Sequence, residues 1–202
     1  MSRDPARAAT QFFGGRVCLD FANTLDWRTS DDPQELIPDY EAFLFWSGRR
    51  GTLPARAITR LRVEGRKHQV TAQAVMADAF LLRAEIWKAA DSLRIGEAVD
   101  LDAINRMLGA LPSQPKLVPH EQAYVHDIKG SLLQEPLWPV LWSLTALLAS
   151  NDATRVGCCQ AQGCGWFFVD ESPNQSRLWC SSEVCGNRER ARRAYAKRRS
   201  SE

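Results

Sequence analysis

The chain has 202 residues, 45% of them hydrophobic, and a formal net charge of +2. That is enough for one domain of ordinary size with its own core, plus a small module. No apolar run reaches the roughly 20 residues that a membrane-spanning helix needs. The N-terminus, MSRDPARAAT, also lacks the apolar segment of a secretion signal, so a cytoplasmic setting is expected.

The first ten residues read as a mobile lead-in. Phe12-Phe13-Gly14-Gly15 is a turn signal that feeds the stretch from Arg16 to Thr24. There Val17, Leu19 and Phe21 alternate with Cys18, Asp20 and Ala22, the period of a half-buried strand. Cys18 stands alone and reads as a small core residue. Asp39 is placed to cap a helix from Tyr40 to Trp46 that ends near Gly48 and Gly51. Pro54 begins another through Ile58, Leu61 and Val63. The longest helix is expected from Gln69 to Leu93, with Ala72, Val75, Ala79, Leu82 and Ile86 among the apolar positions at helical spacing. Arg83 abuts that stripe and reads most simply as a surface arginine whose stem lies along apolar neighbours.

Asp100 or Asp102 opens a further helix ending near Leu111. Pro112, Pro115 and Pro119 punctuate a segment that cannot be one helix, and within it Lys116 to Val118 and Gln122 to Val125 suit a hairpin. Pro136 to Ser150 is helical, with Leu137, Val140, Leu141, Leu144, Leu147 and Leu148 on it. Asn151-Asp152 ends this helix. The domain boundary is set there, giving residues 1–150 and 151–202 and an α+β class that is mainly helical with small hairpins.

Five of the six cysteines lie beyond the boundary, as Cys159-x4-Cys164 and Cys180-x4-Cys185 with Cys158 beside the first pair. Two close pairs separated by a turn-rich insert suit four thiolates about 2.3 Å from one structural Zn²⁺. Two disulfides or an iron–sulfur cluster would use the same residues, although nothing else points to an oxidising compartment and the spacing is unlike ferredoxin runs. Cys158 could replace Cys159, at the cost of the symmetry of the pairs. Between the pairs, Trp166 to Val169 reads as a strand, Asp170 to Gln175 as a turn, and Arg177 to Trp179 as the returning strand. Ser181 or Ser182 can cap a helix running toward Arg199, on which Arg188, Arg192, Tyr195 and Arg199 form one stripe. Treated as separate units, loss of metal would unfold the finger and leave the first domain folded.

Cys164-Gly165-Trp166, Arg177-x-Trp179-Cys180-Ser181 and Cys185-Gly186-Asn187-Arg188 resemble the CGNR zinc finger over about residues 155–199. The resemblance implies a treble-clef-like module, a cysteine knuckle and hairpin followed by a helix that starts at the second pair, and a DNA-binding role in transcription regulation. Likewise, Leu19-Asp20-Phe21-Ala22-Asn23-Thr24 resembles the LDFxNT signature of the ABATE domain, which commonly precedes that finger and for which stress sensing through a small ligand has been suggested. Asp20, Asn23 and Thr24 match its polar positions, and Arg83 resembles an arginine of related domains that could reach Asp20 or a bound anion. Two readings of these residues stand together: a polar ligand site, or turn and capping elements.

Charge points to the partner. Residues 177–199 hold eight Lys/Arg and two Glu, net +6, whereas the remainder is net −4. A basic helix launched from a metal-clamped module suits duplex DNA, whose phosphates Lys and Arg neutralise with release of counterions. Asn187 and Arg188 are suited to base edges, unless they are structural and tie the helix start to the knuckle, and Arg190, Arg192, Arg193, Lys197, Arg198 and Arg199 are suited to phosphates. An acidic protein partner is the alternative. RNA is disfavoured by the single Tyr and the lack of stacking aromatics there. No HExxH, GxSxG, Walker or GxGxxG pattern occurs, and His120 and His126 lack metal-pair spacing, so no enzyme is expected.

Overall fold

A computed structural model describes residues 11–110, 115–120, 123–128 and 132–199; within the two strands between 115 and 128, only the Leu117, Pro119 and Tyr124 side chains are described. Residues 1–10, Leu111, Pro112 and Gln122, and the side chains of His120 and His126, lie outside the described residues. The elements in chain order are α1 (Val17–Ala22), β1 (Leu25–Asp26), β2 (Gln34–Glu35), α2 (Tyr40–Arg50), α3 (Ala55–Lys67), α4 (Gln69–Ile95) and α5 (Asp102–Gly109). The chain continues with β3 (Pro115–His120), β4 (Ala123–Ile128), α6 (Leu137–Leu148), β5 (Val156–Cys158), β6 (Phe167–Val169) and α7 (Asn187–Arg199). The strands pair as antiparallel hairpins β1–β2, β3–β4 and β5–β6. The fold is thus α-rich with small hairpins.

The helices begin and end where local chemistry allows. Asp39 accepts a hydrogen bond from the Ala42 backbone N–H at the start of α2, and Gly51 closes that helix in the left-handed conformation, φ +75°. Both are common helix-end solutions. Gly96 closes α4 in the same way.

The expected strand from Arg16 to Thr24 is instead the short helix α1. An alternating pattern signals a strand only when one face is wet, and here Cys18, Leu19, Asp20, Phe21 and Ala22 are all buried. α1 packs against α6, α4 and β6 at the centre of the molecule. Phe21 meets Phe43 and Trp46 at ring-centroid distances of 5.4 and 5.5 Å, favourable separations for aromatic pairs. Cys18 donates its backbone N–H to Ser143 Oγ, and burial pushes its thiol up to about 12, which suits a core residue and not a reactive one.

β6 separates two cores. Phe167 and Val169 belong to the main helical cluster, while Trp166 and Phe168 belong to a second cluster with all four paired cysteines. The alternation of a strand sends successive side chains to opposite faces. One edge of β6 pairs with β5. The other is held by the N-terminal segment: Val169 donates its N–H to the Gly14 carbonyl, and the Asn23 side chain both donates to the Phe167 carbonyl (2.9 Å) and accepts its N–H (2.8 Å). The hairpin therefore differs from the expected one, with β5 as the partner of β6 and no strand over Arg177 to Trp179.

Replacing Asn23 by Ala strips partners from a buried N–H and a buried carbonyl of β6. A loss of about 2–4 kcal/mol in urea unfolding is expected, with a loss below about 1 kcal/mol showing that this bond pair does not hold the strand.

Candidate metal centre and nucleic-acid interface

The knuckle forms where the chain leaves β5. Cys158 is the last residue of that strand and packs beside the main core; Cys159 faces the opposite way, into the second cluster. This alternation decides between the two neighbouring cysteines. The Sγ atoms of Cys159, Cys164, Cys180 and Cys185 all lie within 4.8 Å of one another, and all four residues are buried. Sulfur separations are 3.8 Å for Cys164–Cys180, 3.7 Å for Cys164–Cys185 and 3.4 Å for Cys180–Cys185. A tetrahedron of ligands about 2.3 Å from its centre has edges of about 3.8 Å. The separations are far too long for disulfides, whose sulfurs lie about 2.05 Å apart. One ion at that centre would be held by all four sulfurs, with no open position. The four cysteines form the site of one structural zinc ion.

The chemistry of the donor set suits that cation. Hydrogen bonding to Cys159 holds the Cys164 and Cys180 thiols well up, while hydrogen bonds from its neighbours draw Cys159 down. Four thiolates this close cannot coexist without a positive ion, and binding it releases the remaining thiol protons. Cys158 stays outside this set, half-buried and with its thiol raised by burial.

The shell around the sulfurs comes from both halves of the chain. The knuckle offers its carbonyls to the segment after β1: Arg28 N–H donates to Cys164 O, Thr29 N–H to Gly163 O, and Arg28 Nε to Gly165 O. Gly165 has φ +66° and an added Cβ would stand 2.5 Å from Thr29 Cγ2, so this close approach needs glycine. Arg177 serves where a strand was expected. Its guanidinium donates to the carbonyls of Phe13 (3.0 Å), Val169 (3.2 Å), Trp179 (3.0 Å) and Cys180 (2.5 Å), and lies 4.2 Å from the Phe168 ring centroid.

The second pair opens the last helix. Ser181 Oγ accepts from the Val184 N–H and caps a π-type turn, Ser182–Gly186, which runs into α7. Gly186 sits where a Cβ would meet Trp179 at 3.0 Å. Asn187 donates to the Glu183 carbonyl (2.7 Å) and accepts from Arg190 (2.6 Å). Arg188 stacks 4.2 Å over Trp27 and reaches the Gln162 carbonyl. Glu189, only 3% exposed, accepts from the Gln162 N–H and from Arg192. Beyond it, residues 190–199 are all exposed, and Arg193, Arg198 and Arg199 have no ion pair among the described residues.

Residues 155–198 match the family model of the CGNR zinc finger, and residues 15–151 match that of the ABATE family, described as "Putative stress-induced transcription regulator". The chain belongs to the ABATE family. No curated protein matches it. Both matched models are of regulator and zinc-finger type, not of enzymes. Among the described residues, no helix is long and apolar enough to cross a membrane.

The ABATE signature residues are buried and bonded to protein. Asp20 accepts from Gly14 N–H (2.8 Å) and from Arg50 Nε (2.7 Å); Asn23 holds β6. Thr24 donates to Phe21 O and accepts from Arg83 (2.8 Å). Arg83 is 5% exposed, so it is not a surface side chain. Its carboxylate partner is Glu35, not Asp20, and its guanidinium also lies against Phe80 and Trp87. Sequence reasoning does not find Glu35, Arg50, Arg28 or Glu189. Arg177 is met there within the finger pattern, but its role against four backbone carbonyls is not.

Removing zinc removes the centre of a cluster that shares β6 with the main core. Chelation should therefore lower the thermal midpoint of the whole helical signal by about 10 °C or more, in one transition and not two. Elemental analysis should find one zinc per chain in the natural protein and in Cys158→Ser, and loss of stable metal in Cys159→Ser. An unchanged helical melt after complete zinc removal would show that the two clusters are independent.

Proposed function

We propose that this protein is a zinc-dependent, DNA-binding transcription regulator of the cytoplasm, with α7 as its DNA-contacting element and the N-terminal helical region as its sensor. The observation that carries the reading is α7 itself. It holds seven Lys/Arg and one Glu, that Glu is buried against the knuckle, and its outer ten residues are exposed. A helix with no apolar face gains no burial from the body. It is anchored at its start by the zinc cluster, Glu189 and Asn187. A helix about 10–12 Å across fits a B-DNA major groove about 12 Å wide.

The eight candidate residues divide by their place on α7. Arg193, Lys197, Arg198 and Arg199 lie on the outer part of α7, placed for phosphates. Arg190 and Arg192 bond within the helix base, and Asn187 and Arg188 tie the helix start to Glu183, Gln162 and Trp27. Those four would exchange intramolecular bonds for DNA contacts. The sensor role is supported by the shared strand β6, through which a change in the helical core reaches the knuckle. No catalytic step enters this reading.

Binding to a panel of duplexes should fall steeply with salt. Arg193→Ala with Arg199→Ala should weaken all sequences alike and reduce the logarithmic salt slope by about 1 per residue, with zinc content unchanged. Arg188→Ala should relax sequence preference if Arg188 reads a base, and lower the thermal midpoint of the zinc-loaded protein if it serves as an anchor. Absence of any salt-sensitive affinity for duplex DNA in the zinc-loaded protein would remove this reading and move α7 to an acidic protein partner.

A further inference from the structure

Trp27 departs from ordinary backbone geometry. Its φ is 55°, in the left-handed region, where Gln175 is the only other non-glycine among the described residues. Large side chains rarely adopt that conformation, and it persists where the surroundings over-determine it, often at functional sites. Here the hold comes from several sides. Asp26 Oδ1 accepts the Trp27 N–H (3.0 Å), and the Trp27 carbonyl accepts both the N–H and the hydroxyl of Ser30 (2.9 and 2.8 Å). The indole lies against Gly163 of the knuckle, where an added Cβ would stand 3.0 Å from Trp27 Cε3.

The ring so held is half-buried and carries Arg188, whose guanidinium carbon lies 4.2 Å from the ring centroid. An arginine stacked over a ring gives it one face and keeps its N–H donors in the guanidinium plane. Among the described residues these donors meet one acceptor, the Gln162 carbonyl at a long 3.4 Å. Trp27 and Arg188 line an open cleft of about 530 Å³ between the segment after β1 and the base of α7. Its charges decide which part of a duplex it can face. Glu189 is buried and bonded to Arg192 and the Gln162 N–H, but Asp31 is an exposed lining residue. A carboxylate there repels phosphate, whereas the amino groups of cytosine and adenine are donors that it can accept. The cleft therefore suits base edges, and phosphate contacts fall to the outer turns of α7.

We infer that Trp27 is a positioning residue for base recognition: its ring holds the Arg188 guanidinium so that Arg188 donates in parallel to N7 and O6 of one guanine, the fork geometry that this base accepts in the major groove. Arg188 gives up the long Gln162 contact and keeps the ring. Trp27 follows β1 in the N-terminal region, whereas Arg188 stands in the finger, so the N-terminal region takes part in reading sequence. The inference rests on the DNA-binding reading and adds to it the base read and the residue that fixes the fork.

The test uses the zinc-loaded full chain with a duplex selected from a randomised pool, and the same duplex with each guanine in turn replaced by 7-deazaguanine, which lacks the N7 acceptor. At one position the replacement should weaken binding about tenfold, the loss of one charge-assisted hydrogen bond. Arg188→Ala should abolish that penalty. Trp27→Leu keeps an apolar side chain against Gly163 but has no aromatic face, and should cut the penalty to about threefold or less. Zinc content and affinity for unselected duplexes should not change, and Trp27→Phe, which restores a face, should recover most of the penalty. A role in stability alone would lower the thermal midpoint and weaken every duplex alike while leaving the penalty intact. That result would overturn the inference, as would a selected duplex in which no guanine N7 matters. A second measurement needs neither DNA nor a Trp27 variant. The Arg188 Nε–H resonance, identified by its absence in Arg188→Lys, should show cross-relaxation with the Trp27 ring protons, and its failure to do so would overturn the hold on Arg188. If no duplex is bound at all, the DNA-binding reading falls and this inference with it; duplex binding with equal penalties in the natural protein and Trp27→Leu removes this inference alone.

Discussion

The rest of the molecule depends on how the backbone of Phe167–Val169 is satisfied. A three-residue strand buried on both faces must pair every N–H and carbonyl it encloses. β5 supplies one edge. Gly14 and the amide of Asn23 supply the other, so a side chain from a helical segment 144 residues away takes the place of a neighbouring strand. Because the two faces of this strand belong to different clusters, the zinc site and the helical core cannot be packed independently. The family matches divide the chain near residue 150, yet the physical core runs across that point.

Around this strand, charge is used to fix position. Asp20 with Arg50, Glu35 with Arg83 and Glu189 with Arg192 each bury a carboxylate wholly or in part against an arginine. Such pairs add little net stability, since desolvation offsets most of the attraction. Removing one partner is costly, and that is how they select one arrangement of the chain. Arg83 joins the segment after α1 to β2 and α4. Glu189 joins α7 to the knuckle through the Gln162 N–H. Arginine suits these places because its planar fork serves several acceptors at once while lying flat on aromatic rings, as Arg177 does against Phe168.

The metal and the basic helix are joined by the same short connections. Cys185 is the residue before Gly186, and α7 starts at Asn187. The helix direction is therefore set within a few residues of the ion. Its outer turns gain nothing from the core, which leaves their guanidinium groups in water and available to an external anion.

The sequence by itself determined the features that arise from local spacing. Two cysteine pairs on tight reversals, the caps and glycine stops of α2, the long apolar repeat of α4 and the basic run of α7 each act within a few residues, where chain geometry leaves few choices. Only the tertiary structure decided the rest, because those outcomes depend on what surrounds a segment. The alternation in Val17 to Ala22 lost its meaning once both faces were buried, so it became a helix. Cys159 and not Cys158 turned to the metal because β5 is paired with β6 and sends alternate side chains to opposite cores. Arg83 took Glu35, brought to it by a hairpin, and Asp20 took Arg50; neither pairing has any signature in sequence separation. The role of the ABATE signature was likewise invisible along the chain, since Asn23 has its partner in the finger, and only folding brings the two together.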